Sequence, residues 1–230
     1  MVFVVDETQR LVEESWSEIP LFPLPDYVLF PHTLVPFHVF EPRYVNMLDD
    51  CLAGNRLVVV VGMQPGWELT PEATADTYQV GGIGRIVSDR RLRNGRTNIF
   101  VHCTERIQIV RRIEGDSYAT VDVQPLLDRT ASSEEASLSA ARDRLVSLGA
   151  NLARELGPDG GALSKVLGST GDPTVLTHRL AAMVVPEPNE RQELLELTSP
   201  LVRCHRLSDH LTQMLMERLP SPGEPTEWIN

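Results

Sequence analysis

The spacing of apolar positions changes near residue 130. Before that point they come in short runs or strict alternation, the mark of strands. Ile19 to Leu24, Val28 to Phe30 and Leu34 to Phe40 are such runs, punctuated by Pro20, Pro23, Pro25, Pro31 and Pro36. Proline donates no ladder hydrogen bond, so these predict short, kinked or edge strands. Leu57 to Val61 is an unbroken, mostly β-branched run, as expected of a strand buried on both faces. Between them, Pro42 suits the first position of a helix whose Tyr44, Met47, Leu48 and Cys51 share one face and which Gly54 ends. Val80 to Val87 and Thr97 to Thr104 flank Asn94-Gly95, a signal for a type I′ hairpin. In a second hairpin, Ile107, Ile109 and Ile113 run out to Glu114-Gly115-Asp116, and Ala119, Val121 and Val123 run back. Successive hairpins predict a small curled sheet or barrel.

After residue 130 the period is helical. Ser132 and Glu135 form an S-x-x-E capping pattern before a long helix carrying Leu138, Ala141, Leu145, Leu148, Leu152 and Leu156, closed by Gly157. A short apolar segment, Ala162 to Leu167, follows. Asp172-Pro173 opens another helix with Leu176, Leu180, Met183 and Val184 inward. Asn189 with Gln192 caps a short one bearing Leu194, Leu195 and Leu197. Ser199-Pro200 starts the last, with Leu201, Cys204, Leu211, Met214 and Leu215 on one stripe. The expected organisation is an extension (1–18), an antiparallel β-domain with one short helix (19–130), a helical bundle (131–219) and a Pro-rich tail (220–230), an α+β protein.

Composition narrows the function classes. The chain has 230 residues, is 42% hydrophobic and 23% charged, and carries a net charge of −11. Those values are globular, and the acidic total argues against coating of nucleic acid over the whole surface. Lys165 is the single lysine; Val166 follows it, so no P-loop can be built. Cys51, Cys103 and Cys204 include no CxxC pair, which argues against a disulfide framework or zinc ribbon. The start of the chain lacks a basic n-region, and the longest apolar run, near Leu57 to Met63, is far below the roughly 20 residues of a membrane helix. The expectation is a soluble cytoplasmic protein without cofactor or metal, monomeric or homodimeric.

Residues 19–52, IPLFPLPDYVLFPHTLVPFHVFEPRYVNMLDDCL, closely resemble the start of the N-terminal domain of Lon proteases. The motif there stands as Phe40, Glu41, Pro42, Arg43 and Tyr44, preceded by Pro36 to Val39. The likeness continues through GGIGRIV (81–87), NGRTNIFV (94–101), ERIQI (105–109) and the later helices, covering Ile19 to about Leu219. The resemblance implies a PUA-like β-domain, a pseudo-barrel, followed by a helical bundle, in a module that recognises polypeptide substrates. It also implies a free-standing form of that domain, because Lon continues into ATPase and Ser–Lys protease domains. His102-Cys103-Thr104 departs from the Glu-Gly pair usual before the family's Glu-Arg.

Several residues were weighed for chemistry. Glu41 to Tyr44 read foremost as a capped, packed helix start. Gly82-x-Gly84 lies within a strand pattern, not at a strand-to-helix turn, which argues against a dinucleotide site. His102-Cys103 and Cys204-His205 point their neighbours apart, so each pair offers a metal one ligand. Residues 85–112 hold eight arginines against Asp89 and Glu105, a local +6 that leaves −17 elsewhere. Of these, Arg90, Arg91, Arg93 and Arg96 surround the turn, either to meet an acidic partner or RNA, or as solvated charges that discourage edge pairing. Met63 and Trp67 sit in a loop after the buried strand, as anchors for exposed apolar segments or as loop residues folded onto the core. The leading reading is non-enzymatic binding of an unfolded polypeptide or of a protease or chaperone component. The alternatives are RNA binding through the Arg hairpin and a Cys/His hydrolase.

Overall fold

A computed structural model of the chain describes residues 16–69 and 76–218; the predicted C-terminal tail and most of the N-terminal extension lie outside them. Six strands and six α-helices follow in order: β1 (Ile19–Leu24), β2 (Leu34–Val39), α1 (Pro42–Ala53), β3 (Leu57–Gly62), β4 (Val80–Arg91), β5 (Thr97–Ile113), β6 (Thr120–Pro125), then α2 (Glu135–Glu155), α3 (Gly161–Gly168), α4 (Pro173–Val184), α5 (Pro188–Glu196) and α6 (Pro200–Met216). The expected α+β class with a pseudo-barrel holds. One pair departs from the antiparallel expectation: β1 and β3 run parallel, because the excursion through β2 and α1 returns the chain in its starting direction.

The barrel closes through β5. Of its 17 residues, 97–108 pair with β4 along one edge; the other edge takes β2 at residues 97–102 and β6 at residues 107–113. With β4 beside β3, β3 beside β1 and β1 beside β6, five strands form a ring, and β2 is left at an edge. Thr104 has no partner in β4, where Gly84 faces Cys103 and Ile83 faces Glu105. That extra residue reverses the alternation. Ile99, Val101 and Cys103 face the core under α1, with Met47, Leu48 and Cys51, whereas Ile107 and Ile109 face a second core with Leu21, Val59 and Val121. β3 is buried along its length because alternate residues serve each core, which accounts for its unbroken apolar run. Val87 and Val110 are surface-exposed apolar residues because each is the extra residue of a further bulge.

Several local expectations are corrected. Val28 to Phe30 form no strand; Val28 and Phe30 instead pack into the bundle core beside Leu180 and Leu195. The turn at Asn94-Gly95 is not type I′, since Gly95 has φ +79° and Asn94 is not in the left-handed region. The Gly95 N–H donates to Leu92 O and the Leu92 N–H to Arg96 O, closing a three-residue loop. Ser132 does not cap α2: the chain enters through a 3₁₀ turn, and the Glu134 carboxylate accepts from the Ala131 N–H. Asn189 does not cap α5, which starts after Glu187 with Pro188 in its first turn. Asp172 and Ser199 do cap α4 and α6, accepting from Thr174 and Val202 N–H groups. Gly82 is required by close approach: a Cβ there would lie 2.5 Å from Leu29 O and 2.8 Å from Cys103 Sγ.

Candidate functional site

Where the barrel meets the bundle, two depressions share Tyr27 and Val28 and flank the start of α5. One, about 150 Å³, is lined by Met63, Pro65, Trp67, Tyr78, Pro188 and Asn189. The other, about 270 Å³, is lined by Phe30, Leu34, Val35, Pro36, Ala182 and Arg191. Together they line the junction with a groove of mixed polar and apolar surface. Met63 is buried and belongs to its wall, paired through an isolated bridge to Thr77; Trp67 is half-buried at the start of a short 3₁₀ turn. Tyr27 packs edge-on against Phe37 with ring centroids 5.3 Å apart. Burial, reinforced by Cys103, pushes its phenol pKa up, so it keeps its proton at neutral pH. The Tyr78 hydroxyl donates to Asn189 Oδ1 at 3.2 Å, and Gln192 Nε2 donates to Val80 O at 3.0 Å, tying α5 to the approach to β4.

A buried polar network joins the barrel to the bundle. Arg203 of α6 is fully buried and Arg106 of β5 nearly so. Both donate to Asp128, which lies between β6 and α2: Arg203 through Nη1 at 2.8 Å and Nη2 at 2.5 Å, Arg106 through Nη2. The Thr174 hydroxyl adds a third partner at 2.8 Å, and Leu126, Leu195 and Leu197 carbonyls take further guanidinium donors. Burial alone would raise the Asp128 pKa, but the Arg203 and Arg106 contacts outweigh it and hold the carboxyl below 3.8. Burial lowers Arg106 to about 10, opposed by Asp128 and helped by the Arg203 charge, so it stays protonated. Beside this network His178 is buried with neither ring nitrogen hydrogen-bonded among the described residues, stacked 6.3 Å from His32. Burial first, then Arg203, Arg106 and His32, hold its pKa well below 6.5, so it is neutral.

The other singled-out residues lie elsewhere. At the start of α1, Glu41 accepts from Arg43 Nε and Nη2, Arg43 lies over the Tyr44 ring at 4.6 Å, and Tyr44 packs on Phe22 at 4.8 Å. Phe40 points outward. Arg91 pairs with Asp49, Arg96 lies over the Phe40 ring at 5.7 Å, and Arg90 and Arg93 have no ion-pair partner among the described residues. All three cysteines are buried, and burial pushes their thiols up, to about 12 for Cys51 and about 11 for Cys204. Thiolate chemistry at neutral pH has no support from such groups. No cluster of three or more His, Cys, Asp or Glu side chains suited to a metal occurs among the described residues. No helix among them is long and apolar enough to cross a membrane.

Tyr27, Tyr78, Pro188 and Asn189 were not anticipated as groove residues. Arg203 left a trace, for it falls on the apolar stripe of α6 between Pro200 and Leu207. A charge on such a stripe calls for a buried partner.

The architecture is a PUA-like pseudo-barrel joined to a helical bundle, with a groove at the junction. The chain belongs to the family of the ATP-dependent protease La (LON) substrate-binding domain, which it matches over residues 18–213. It is 26% identical to a Lon protease of Trichlorobacter lovleyi over 214 residues, 91% of this chain and 25% of that protein. It is 29% identical to Lon protease 2 of Herpetosiphon aurantiacus over 213 residues, 90% of this chain and 26% of that protein. The chain thus spans about a quarter of the length of the curated relatives it matches. Among solved structures it resembles the N-terminal domain of Mycobacterium avium complex Lon protease, with TM-score 0.67, 18% identity and coverage of 85% of this chain and 98% of that one. It also resembles a Lon N-terminal domain protein from Xanthomonas campestris, with TM-score 0.54, 20% identity and coverage of 89% and 99%.

Proposed function

We propose that this chain binds extended, unfolded polypeptide in the groove between barrel and bundle, and does so without chemistry of its own. The observation that carries the reading is the groove's lining: Tyr27, Trp67 and Tyr78 with Met63, Pro65 and Pro188, aromatic and adaptable apolar groups with a few fixed polar atoms among them. Such surfaces take apolar side chains of varied shape. Family membership supports it, because the matched family is a substrate-binding domain.

The test is retention of denatured casein by the purified chain, followed by anisotropy titration. Binding should weaken roughly tenfold in Trp67→Ala and in Tyr27→Ala, since a buried aromatic anchor is worth on the order of 1–2 kcal/mol. The same preparation should show neither ATP hydrolysis nor peptide cleavage. Failure to bind any unfolded polypeptide, or undiminished binding by both variants, would overturn the proposal.

A further inference from the structure

The segment charge of +6 shrinks once the pairs are assigned. Arg91 is held by Asp49, Arg111 by Asp122, Arg112 by Glu114 and Arg106 by Asp128, while Asp89 answers to Arg56. What remains is a small cationic face at one end of the β4–β5 hairpin. Arg90, Asn98 and His38 lie in register across β4, β5 and β2. The His38 ring is 2.6 Å from Asn98 Oδ1 through Nδ1 and 6.1 Å from the Phe40 ring. Arg96 lies over one side of Phe40, and that ring is still 58% exposed. Arg93 projects from the turn, exposed like Arg90 and Arg96. The face therefore offers three exposed guanidinium groups, one of them over an aromatic side chain that stays 58% exposed, and it shares none of these residues with the junction groove.

We propose that this face binds an acidic polypeptide segment carrying an apolar or aromatic residue among its carboxylates. Carboxylates take the guanidinium forks of Arg90, Arg93 and Arg96, and the apolar side chain packs on the exposed surface of Phe40. Charge complementarity selects the partner, for the patch is a cationic island on a chain of net charge −11. Single-stranded nucleic acid fits less well. It needs successive rings for successive bases, whereas Phe40 is one ring already covered on one side by Arg96.

The full chain should be titrated by fluorescence anisotropy with a labelled twelve-residue peptide of Asp and Glu around a central Phe. Its Asn/Gln counterpart and a twelve-nucleotide oligouridylate complete the set. The acidic peptide should bind, and the Asn/Gln peptide should bind at least tenfold more weakly. Three exposed charge contacts are removed together in Arg90→Ala/Arg93→Ala/Arg96→Ala, which should lose about threefold to a hundredfold in affinity. Phe40→Ala should lose about fivefold, as expected for one ring contact. These side chains are exposed, so the melting temperature should stay unchanged and exclude misfolding. Trp67→Ala should leave the acidic peptide's affinity intact, which separates this face from the groove. Unchanged binding in the triple variant overturns the proposal, as does absence of acidic-peptide binding. So does tighter binding of the oligouridylate, lost in the same triple variant, which would make this a nucleic-acid face.

Discussion

Replacing Asp128 by Asn preserves shape and removes the one carboxylate that answers to two buried guanidinium groups. Asp128 accepts from Arg106 Nη2, Arg203 Nη1, Arg203 Nη2 and the Thr174 hydroxyl, and its side chain is only 18% exposed. An Asn amide has one acceptor oxygen where the carboxylate has two, and its NH₂ group would face a guanidinium donor. Breaking a buried ion pair by removing one partner costs about 3–5 kcal/mol, because the remaining charge is left without compensation. Here two charges are left, so the upper part of that range is expected, against a total stability of roughly 5–15 kcal/mol for a domain. At about 2–4 °C per kcal/mol for a chain of this size, Asp128→Asn should melt on the order of 10–20 °C lower. Guanidinium chloride unfolding followed by circular dichroism measures it: the midpoint should fall without a large change in slope. A loss below about 1 kcal/mol would refute the reasoning and place the pair in solvent-screened surroundings. Replacing both arginines by methionine together with Asp128→Leu should recover only part of the loss, since the Leu126, Leu195 and Leu197 carbonyls would lose their donors.

Acid should loosen the junction before it titrates the carboxylate. His178 is held neutral in the folded chain, whereas the unfolded chain protonates it below about pH 6.5, so stability should fall from pH 7 to pH 5 by up to about 1.4 kcal/mol per unit. His178→Leu should flatten that slope in denaturation series; equal slopes would sink the idea. The Asp128 contribution, from a depressed pKa, is present above about 3.8 and should be lost only below it. Gly82→Ala should cost at least about 2 kcal/mol in the same unfolding assay, because the new methyl would meet backbone at Leu29. A variant as stable as the parent would show that β4 can move away freely.

Periodicity was informative where one element meets one core. The α1 stripe of Tyr44, Met47, Leu48 and Cys51 is buried as its spacing requires, and β3 is buried on both faces as its unbroken run requires. It failed where a segment takes part in something other than its own element. Val28 and Phe30 are apolar because they plug the bundle, while Leu29 between them enters the core under α1, a division that no local pattern expresses. Asn94-Gly95 marked the turn correctly but not its type, since the Asn94 side chain accepts from the Arg96 N–H and a third residue enters the loop. The groove was legible only at Trp67 and Met63. Its other wall comes from α5, more than a hundred residues away, and only closure of the fold brings the two together.

β5 carries one residue more than its neighbour matches, at Thr104, and this gives the strand two reading frames. Before it, odd-numbered side chains address the core beneath α1; after it, odd numbers address the opposite core, and Arg106 is turned toward the bundle. Substitution at Thr104 leaves that addressing intact. Loss of one residue there would swap the destinations of Ile107 and Ile109 and carry Arg106 away from Asp128. For this strand the count of residues is a stricter inheritance than their identity.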